Sequence, residues 1–408
     1  MAKHIVANIN FSIMEKRKLN ILFIANEYPL NKGTEYNAYG GQASYLQNIS
    51  NLIKKKNHNV TVFLISNRTY NSAQNGIKIR EFGFKISFPF LKKISNFLNY
   101  VFISFYMNLI IFLENKKKNF DIIQYPSFLP LGIILIIPKN CKKICRISGI
   151  TKLWRNYNNN NKNIFHLFSD FVEKKRVLKA QKVFAPSKII SKKASLEYLR
   201  KVYTLRSPLV NINRKILKSS KKLPKENFFL YIGTLNRVKG IDLLANAFLK
   251  VFKKYKNISL VIIGRNEKIG NKIESINYFF KKCKKFKSKI KYFGVLSKKE
   301  IFYFYTKAEA IIIPSRLDNY PNVMIESISF KKPIIGFLNS SLDEVINDGK
   351  TGFLANKQNL KSLFKKIDEF LCQSRTKKEI IKKNILKLNK KLKSIDYAEK
   401  LIDFYNQN

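Results

Sequence analysis

The sequence predicts two successive α/β domains, each a parallel sheet covered by helices and together facing a central cleft, and three observations carry that reading. From residue 19 onward, short apolar runs of strand length alternate with longer stretches of helical periodicity, the pattern of βαβ units. The alternation breaks at 215–225 (KILKSSKKLPK), a basic stretch with Ser and Pro, and then restarts. The chain's 408 residues are enough for two or three domains of ordinary size.

In chain order, buried strands are expected at 20–25 (NILFIA), 60–66 (VTVFLIS), 121–125 (DIIQY), 143–147 and 182–186. A helix over about 41–55 joins the first two, with Leu46, Ile49 and Ile53 on one face. The most apolar run, 98–113, is interrupted by Asn99 and Asn108. It is shorter than the roughly 20 residues that span a bilayer and reads as a buried or interfacial helix. After a hinge placed at 207–225, strands are expected at 228–233, 259–264, 289–294, 310–314 and 333–337. The helix from Ile241 carries Leu244, Phe248, Val251 and Tyr255 at helical spacing. The predicted organisation is an N-terminal extension over 1–18, a first Rossmann-like domain over 19–206, a second over 207–385 and a helical segment over 386–408. In open parallel sheets ligands sit beyond the carboxyl ends of the strands, which places the site in the cleft.

Charge is the unusual feature of the composition: 78 Lys+Arg against 26 Asp+Glu give a net +52. Nucleic acid, an anionic membrane and phosphate-bearing substrates all suit such an excess. The Lys runs at 54–56, 116–118, 281–291 and 375–393 are scattered, and the Asn-rich stretch 156–163 points to compositional drift. A duplex-binding protein gathers its charge on one face, so most of the excess reads as a solvated surface. Cys141, Cys145, Cys283 and Cys372 form neither a zinc pattern nor a disulfide framework. With no signal-length apolar core over residues 1–18, a reducing cytoplasmic location is expected.

Four segments carry chemistry. In YIGTLNRVKG (231–240) a strand ends in glycine, a loop brings Arg237 and Lys239, and a helix opens at Gly240, a combination suited to a diphosphate. In PSRLDNYPNVMIES (314–327), Asp318 and Glu326 stand eight positions apart, with Pro321 at the start of the helix between them. Carboxylates there accept hydrogen bonds from vicinal hydroxyls, and the free amides of the helix start receive phosphate or sugar oxygens. The segment PIIGFLNSSLDEVINDGKTGFL (333–354) places Glu344 early in a short helix. In the first half, Tyr39-Gly40-Gly41 precedes the helix and lets backbone approach a phosphate.

In their order and spacing these segments resemble the retaining glycosyltransferases of the GT-B fold, family four, a group that includes bacterial capsule and lipopolysaccharide glycosyltransferases. The resemblance runs from about residue 19 to 353 and is strongest over 231–353, in GTLNRVKG, PSRLDNYPNVMIES and SSLDEVINDGKTGF. It implies that Asp318 contacts donor-sugar hydroxyls, Glu326 the ribose, and Arg237 and Lys239 the diphosphate. It also implies that Gly40 and Gly41 face the phosphates and acceptor, and that Asn319, Tyr320, Pro321 and Asn322 form the loop whose backbone amides surround the sugar. The chain departs from the family pattern at Asp318, where Glu is usual, and at Thr234, the commonest place for the first Arg. It departs again at Ser148 in CRISGIT, where many relatives have His, and at Ser340-Ser341, which replace Gly-Gly.

The expected activity is retaining, metal-independent, cofactor-free transfer of a sugar from a nucleoside diphosphate donor, a uridine one preferred, to a hydroxyl of a glycan or lipid-linked acceptor in cell-surface polysaccharide synthesis. Departure of the diphosphate builds negative charge that Arg237, Lys239 and helix amides are placed to meet. With only His4, His58 and His166 in the chain, no catalytic base is nominated. The expected partners are the donor, the acceptor and an anionic membrane surface near 91–118, with no nucleic acid. Two rivals remain at this stage. A basic nucleic-acid-binding protein would show salt-dependent gel shifts, and a GT-B epimerase would carry acid and base residues in its cleft.

Overall fold

The computed structural model describes residues 17–29, 40–66, 69–83, 92–128, 140–158, 164–209, 221–269 and 273–407. Residues 1–16 of the expected N-terminal extension, Tyr39, the end of the Asn-rich stretch and the middle of the expected hinge lie outside the described residues.

The first sheet is built from β1 (Asn20–Ala25), β2 (Asn59–Ser66), β3 (Tyr70–Gln74), β4 (Ile77–Gly83), β5 (Ile122–Pro126), β6 (Lys142–Arg146), β7 (Lys182–Ala185) and β8 (Tyr203–Thr204). Its order is β3-β4-β2-β1-β5-β6-β7-β8, parallel throughout except for β3, which pairs antiparallel with β4. The hairpin joining these two was not anticipated. It turns on Asn75 and Gly76, both at positive φ (54° and 73°), the conformation that a two-residue hairpin turn requires. Helices α1 (Gly41–Lys55), α2 (Lys92–Lys118), α3 (Thr151–Asn158), α4 (Ile164–Lys179) and α5 (Lys188–Tyr198) connect the strands. Helix α1 buries Leu46, Ile49 and Ile53, as its periodicity predicts. Its lysines, Lys54 and Lys55, fall in the last turn, where cations suit the helix dipole.

The second sheet holds β9 (Asn227–Ile232), β10 (Ile258–Ile263), β13 (Ile290–Tyr292), β14 (Ala310–Ile313), β15 (Ile334–Phe337) and β16 (Gly352–Ala355), with a short β11–β12 hairpin (Lys268–Ile269 and Ile273–Glu274) beside it. The order β13-β10-β9-β14-β15-β16 is parallel throughout, with its topological switch between β9 and β14. Helices α6 (Ile241–Lys254), α7 (Ser275–Lys282), α8 (Lys298–Lys307), α9 (Asn322–Ser329) and α10 (Leu360–Leu371) complete this unit. Ser297 caps α8 in a reciprocal capping box with Glu300.

Helix α11 (Arg375–Lys393) continues unbroken through residue 386, where the sequence placed the start of a separate segment. The chain then returns to the first domain. Helix α12 (Tyr397–Asn406) lays Leu401, Ile402, Phe404 and Tyr405 into the core cluster that holds β1 and α1. The Tyr405 hydroxyl donates to Gln124 Oε1 at 2.7 Å, and Lys142 Nζ donates to the Tyr405 carbonyl at 3.0 Å. Lys182 Nζ reaches the Phe404 carbonyl at 2.8 Å, so two cations sit at the negative end of this helix.

Ser341 shows how the chain meets a demand usually given to glycine. It adopts φ 73° at the start of a short 3₁₀ turn (Leu342–Glu344), and its buried hydroxyl has no partner. Ser340 donates to the Phe337 carbonyl at 2.6 Å and fixes the turn from the other side. A left-handed non-glycine residue costs about 1–2 kcal/mol. Glycine's extra freedom in the unfolded chain returns roughly 0.5–1 kcal/mol of that. Ser341→Gly is therefore expected to stabilise the protein by about 1 kcal/mol. A lower urea midpoint for this variant than for the wild type would contradict the assignment.

Candidate functional site

The strands of both sheets end on one cleft of about 1380 Å³. The first domain contributes residues just beyond β1, β6 and β7, such as Glu27, Ser148 and Pro186, and the second those ending β9, β10 and β14, such as Thr234, Arg265 and Pro314. The loop after β9 is held there by its glycine. Gly240 has φ 74°, and a Cβ at that position would lie 1.9 Å from the Pro314 carbonyl oxygen, so no side chain fits where this loop crosses β14.

Lys239 projects into the cleft from this loop. Its Nζ donates to Asp318 Oδ2 at 2.6 Å and lies 5.3 Å from the centre of the Trp154 ring, across the domain boundary. Asp318 follows β14 and is 7% exposed. The same Oδ2 accepts from Ser315 Oγ at 3.2 Å, and Oδ1 accepts from the Asn319 amide at 3.0 Å. Two residues that the sequence assigned to different parts of a ligand are thus each other's partners.

Glu326 lies in α9, lines the cleft and accepts from the Tyr305 hydroxyl at 2.9 Å. Burial raises its carboxyl above the ordinary value, opposed by the Lys298 ammonium and by the Tyr305 hydrogen bond. Burial lowers the Lys298 ammonium in turn, opposed by Glu326. Asn319, Tyr320, Pro321 and Asn322 all line the cleft. Tyr320 holds φ 112°, a strained conformation for a residue with a side chain, and Pro321 is the N-cap of α9.

Gly40 and Gly41 lie on the facing wall at the start of α1. The Gly40 amide donates to Glu27 Oε2 at 2.9 Å, and Asn322 Nδ2 donates to the Gly41 carbonyl at 3.2 Å, directly across the cleft. Arg237 behaves differently from the sequence expectation and is not among the cleft-lining residues. Arg316, forked onto both carboxylate oxygens of Asp242 at 2.7 Å, also donates to the Arg237 carbonyl and pins this turn from behind. The lining cations that sequence reading missed are Arg265, Lys298 and Arg146. Arg265 follows the glycine that ends β10, the same strand–glycine signal as at Gly233. Among the described residues, no three His, Cys, Asp or Glu side chains come together in a way that could hold a metal ion.

Glu344 works at the domain boundary. Its Oε1 accepts from the Ile189 amide in the first turn of α5 at 3.1 Å, and Arg206 donates to its carbonyl at 3.2 Å. Val238 and Leu317 of the second domain pack into a core cluster of the first.

Two doubly wound parallel sheets, facing each other across a cleft that both line with their strand ends, make this a GT-B fold. The chain resembles the glycosyl transferases group 1, the family whose model matches residues 213–387. Among curated relatives, the capsular polysaccharide biosynthesis glycosyltransferase CapM of Staphylococcus aureus is 26% identical over 196 residues, covering 48% of this chain and 50% of that protein. The chain spans about half the length, or less, of the curated relatives it matches. Sucrose-phosphate synthase from Thermosynechococcus elongatus shares the fold at a TM-score of 0.76 and 16% identity, covering 96% of this chain and 99% of that one. Anabaena HepE, solved with UDP and glucose, superposes at a TM-score of 0.66 and 13% identity, covering 96% of this chain and 100% of that one.

Proposed function

We propose that the protein is a glycosyltransferase that moves a sugar from a nucleoside diphosphate donor, a uridine one, to a hydroxyl of a glycan or lipid-linked acceptor in cell-surface polysaccharide synthesis, with retention of anomeric configuration. The observation that carries this reading is the second-domain wall of the cleft, where Lys239, Arg265 and Lys298 stand with Asp318 and Glu326 opposite Gly40 and Gly41. The cations suit a diphosphate and the carboxylates suit sugar and ribose hydroxyls. The relative named for capsule synthesis and the neighbour holding UDP and glucose support the same reading.

In the proposed cycle the donor diphosphate draws the Lys239 ammonium from Asp318, which frees that carboxylate for the sugar hydroxyls. As the glycosidic bond to the diphosphate lengthens, negative charge grows on the leaving oxygen, and preorganised protein cations stabilise it. Protein-borne cations fill this role without a divalent ion. Glu326 receives the ribose hydroxyls. Arg237 serves the turn that aims Lys239 and not the diphosphate directly.

A thermal-shift screen of nucleotide sugars tests the proposal. A cognate donor at a hundredfold excess over its Kd is expected to stabilise the protein by about 2.7 kcal/mol. If no nucleotide and no nucleotide sugar moves the melting point, the reading fails.

The expected anionic membrane surface also belongs to this proposal. Along α2, Phe102, Phe105, Leu109 and Leu113 are exposed at helical spacing while Met107 and Ile111 are buried, and three lysines occupy the last turn. Among the described residues no helix is long and apolar enough to cross a membrane. An apolar stripe ending in cations suits the interface of an anionic bilayer, where each cation near the surface contributes about 1 kcal/mol. The protein is expected to sediment with phosphatidylglycerol vesicles at low salt, and a Phe105→Ser, Leu109→Ser variant to stay behind. Wild-type protein left wholly in the supernatant would remove the membrane from the proposal.

A further inference from the structure

The first-domain wall of the cleft holds a cation that the proposed donor chemistry does not use. Arg146 ends β6, lines the cleft and is 7% exposed. Its guanidinium carbon lies over the Tyr45 ring, 3.8 Å from the centroid. Nη1 donates to Ser148 Oγ at 2.5 Å and Nη2 to Ser207 Oγ at 3.4 Å, while the buried Nε has no hydrogen-bond partner. No carboxylate pairs with it among the described residues, although Glu27 and Glu81 line the same cleft. Arg176, the other buried arginine, has the charge of Glu173 nearby.

A guanidinium stays ionised in proteins, and a buried charge is ordinarily paired because leaving water unpaired is costly. Arg146 instead rests on two neutral hydroxyls and a ring, with its planar fork held still at the edge of open space. Rigid presentation of that fork is how arginine receives the paired oxygens of a phosphate or carboxylate. Lys239, Arg265 and Lys298 line the cleft from the second domain, and Arg146 lines it from the first.

We propose that Arg146, with Ser148 and Ser207, forms an anion subsite on the acceptor wall, so that the acceptor carries a phosphate or carboxylate group. This rests on the glycosyltransferase reading for the word acceptor, but not for the subsite itself. Ser148 also gains a role, since its hydroxyl positions the arginine.

Three sugars that differ at one carbon test the proposal: glucose 6-phosphate, glucuronate and glucose, titrated calorimetrically into the full chain saturated with UDP. At least one of the two anionic sugars is expected to bind about 10- to 100-fold more tightly than glucose, and which one does so distinguishes phosphate from carboxylate. Arg146→Gln is expected to abolish that preference while leaving UDP affinity unchanged. Should the buried substitution fail to fold, Arg146→Lys keeps the charge without the fork, and Ser148→Ala removes one tether; each is expected to shrink the preference. Equal binding of all three sugars to the wild type, a preference that survives every folded variant, or a loss of UDP affinity in place of sugar discrimination would overturn the subsite. Failure of UDP itself to bind would count against the nucleotide-sugar reading, and the sugar titrations repeated without it would still decide the subsite.

Discussion

Lys239→Ala lowers kcat by about 10²–10³-fold, the cost typical of removing one preorganised group from a developing negative charge, and leaves the unfolding midpoint close to that of the wild type. The expectation follows from where the side chain sits. The Lys239 side chain is 21% exposed, and its ammonium lies 5.3 Å from the centre of the Trp154 ring. Removing it does not strand Asp318, because that carboxylate still accepts from Ser315 and from the Asn319 amide. The loss should therefore appear in turnover and not in stability. Glu326→Ala is the companion variant. It should raise KM for the donor strongly if the carboxylate holds the ribose, and the Tyr305 hydroxyl then keeps only the Val323 carbonyl, at 3.4 Å, as acceptor, a loss of about 1 kcal/mol. Near-normal kcat and KM in both folded variants would sink the assignment of this wall to the donor.

A chain ended after Ser394 is expected to lose the first domain, not merely a tail. Helix α12 supplies Tyr397, Leu401, Ile402, Phe404 and Tyr405 to the core shared with β1, β2 and α1. Exposing a large apolar side chain costs about 1.5–3 kcal/mol, so five of them together rival the roughly 5–15 kcal/mol of net stability a whole protein has. The cut also leaves Gln124 and the ammonium groups of Lys142 and Lys182 without the partners described above. Insoluble expression, or urea unfolding in two steps with the first-domain step shifted far down, is the expected result. A soluble truncated protein with one unchanged transition would refute it.

The parts of the structure that were legible in the sequence are those that local pattern dictates. Strands buried on both faces, such as NILFIA and SLVII, announce themselves as apolar runs, and α1 emerges with the bounds its periodicity indicates. The hairpin of β3 and β4 was missed because β3 (YNSAQ) has no apolar run and β4 mixes Lys, Arg and Glu with Ile, although the Asn75-Gly76 turn was a usable signal. Lys239, Asp318, Glu326, Gly40 and Gly41, which motif spacing singles out, line the cleft. Arg146 and Lys298 were not singled out, since nothing near them in the chain distinguishes them from the many surface cations. Arg237 shows the limit from the other side: a loop position gives a cation's neighbourhood but not the direction in which it points. The return of α12 to the first sheet is equally hidden, because an amphipathic helix states that it needs a partner without naming one.

That return also sets a schedule. The ribosome adds about 5–20 residues per second, so roughly 10–40 s separate the emergence of β8 from that of α12. Over that interval the surface around Ile21, Leu46 and Ile49 awaits its cover, while the second domain is synthesised and its core, which draws nothing from α12, receives its last buried residue, Leu392, just before α12 follows. Proteolysis of stalled nascent chains ending before and after residue 397 would reveal it as late protection of the first domain. The half of the chain made first is thus the half that matures last, and it stays exposed to chaperones and to aggregation until the final turn of helix has been synthesised.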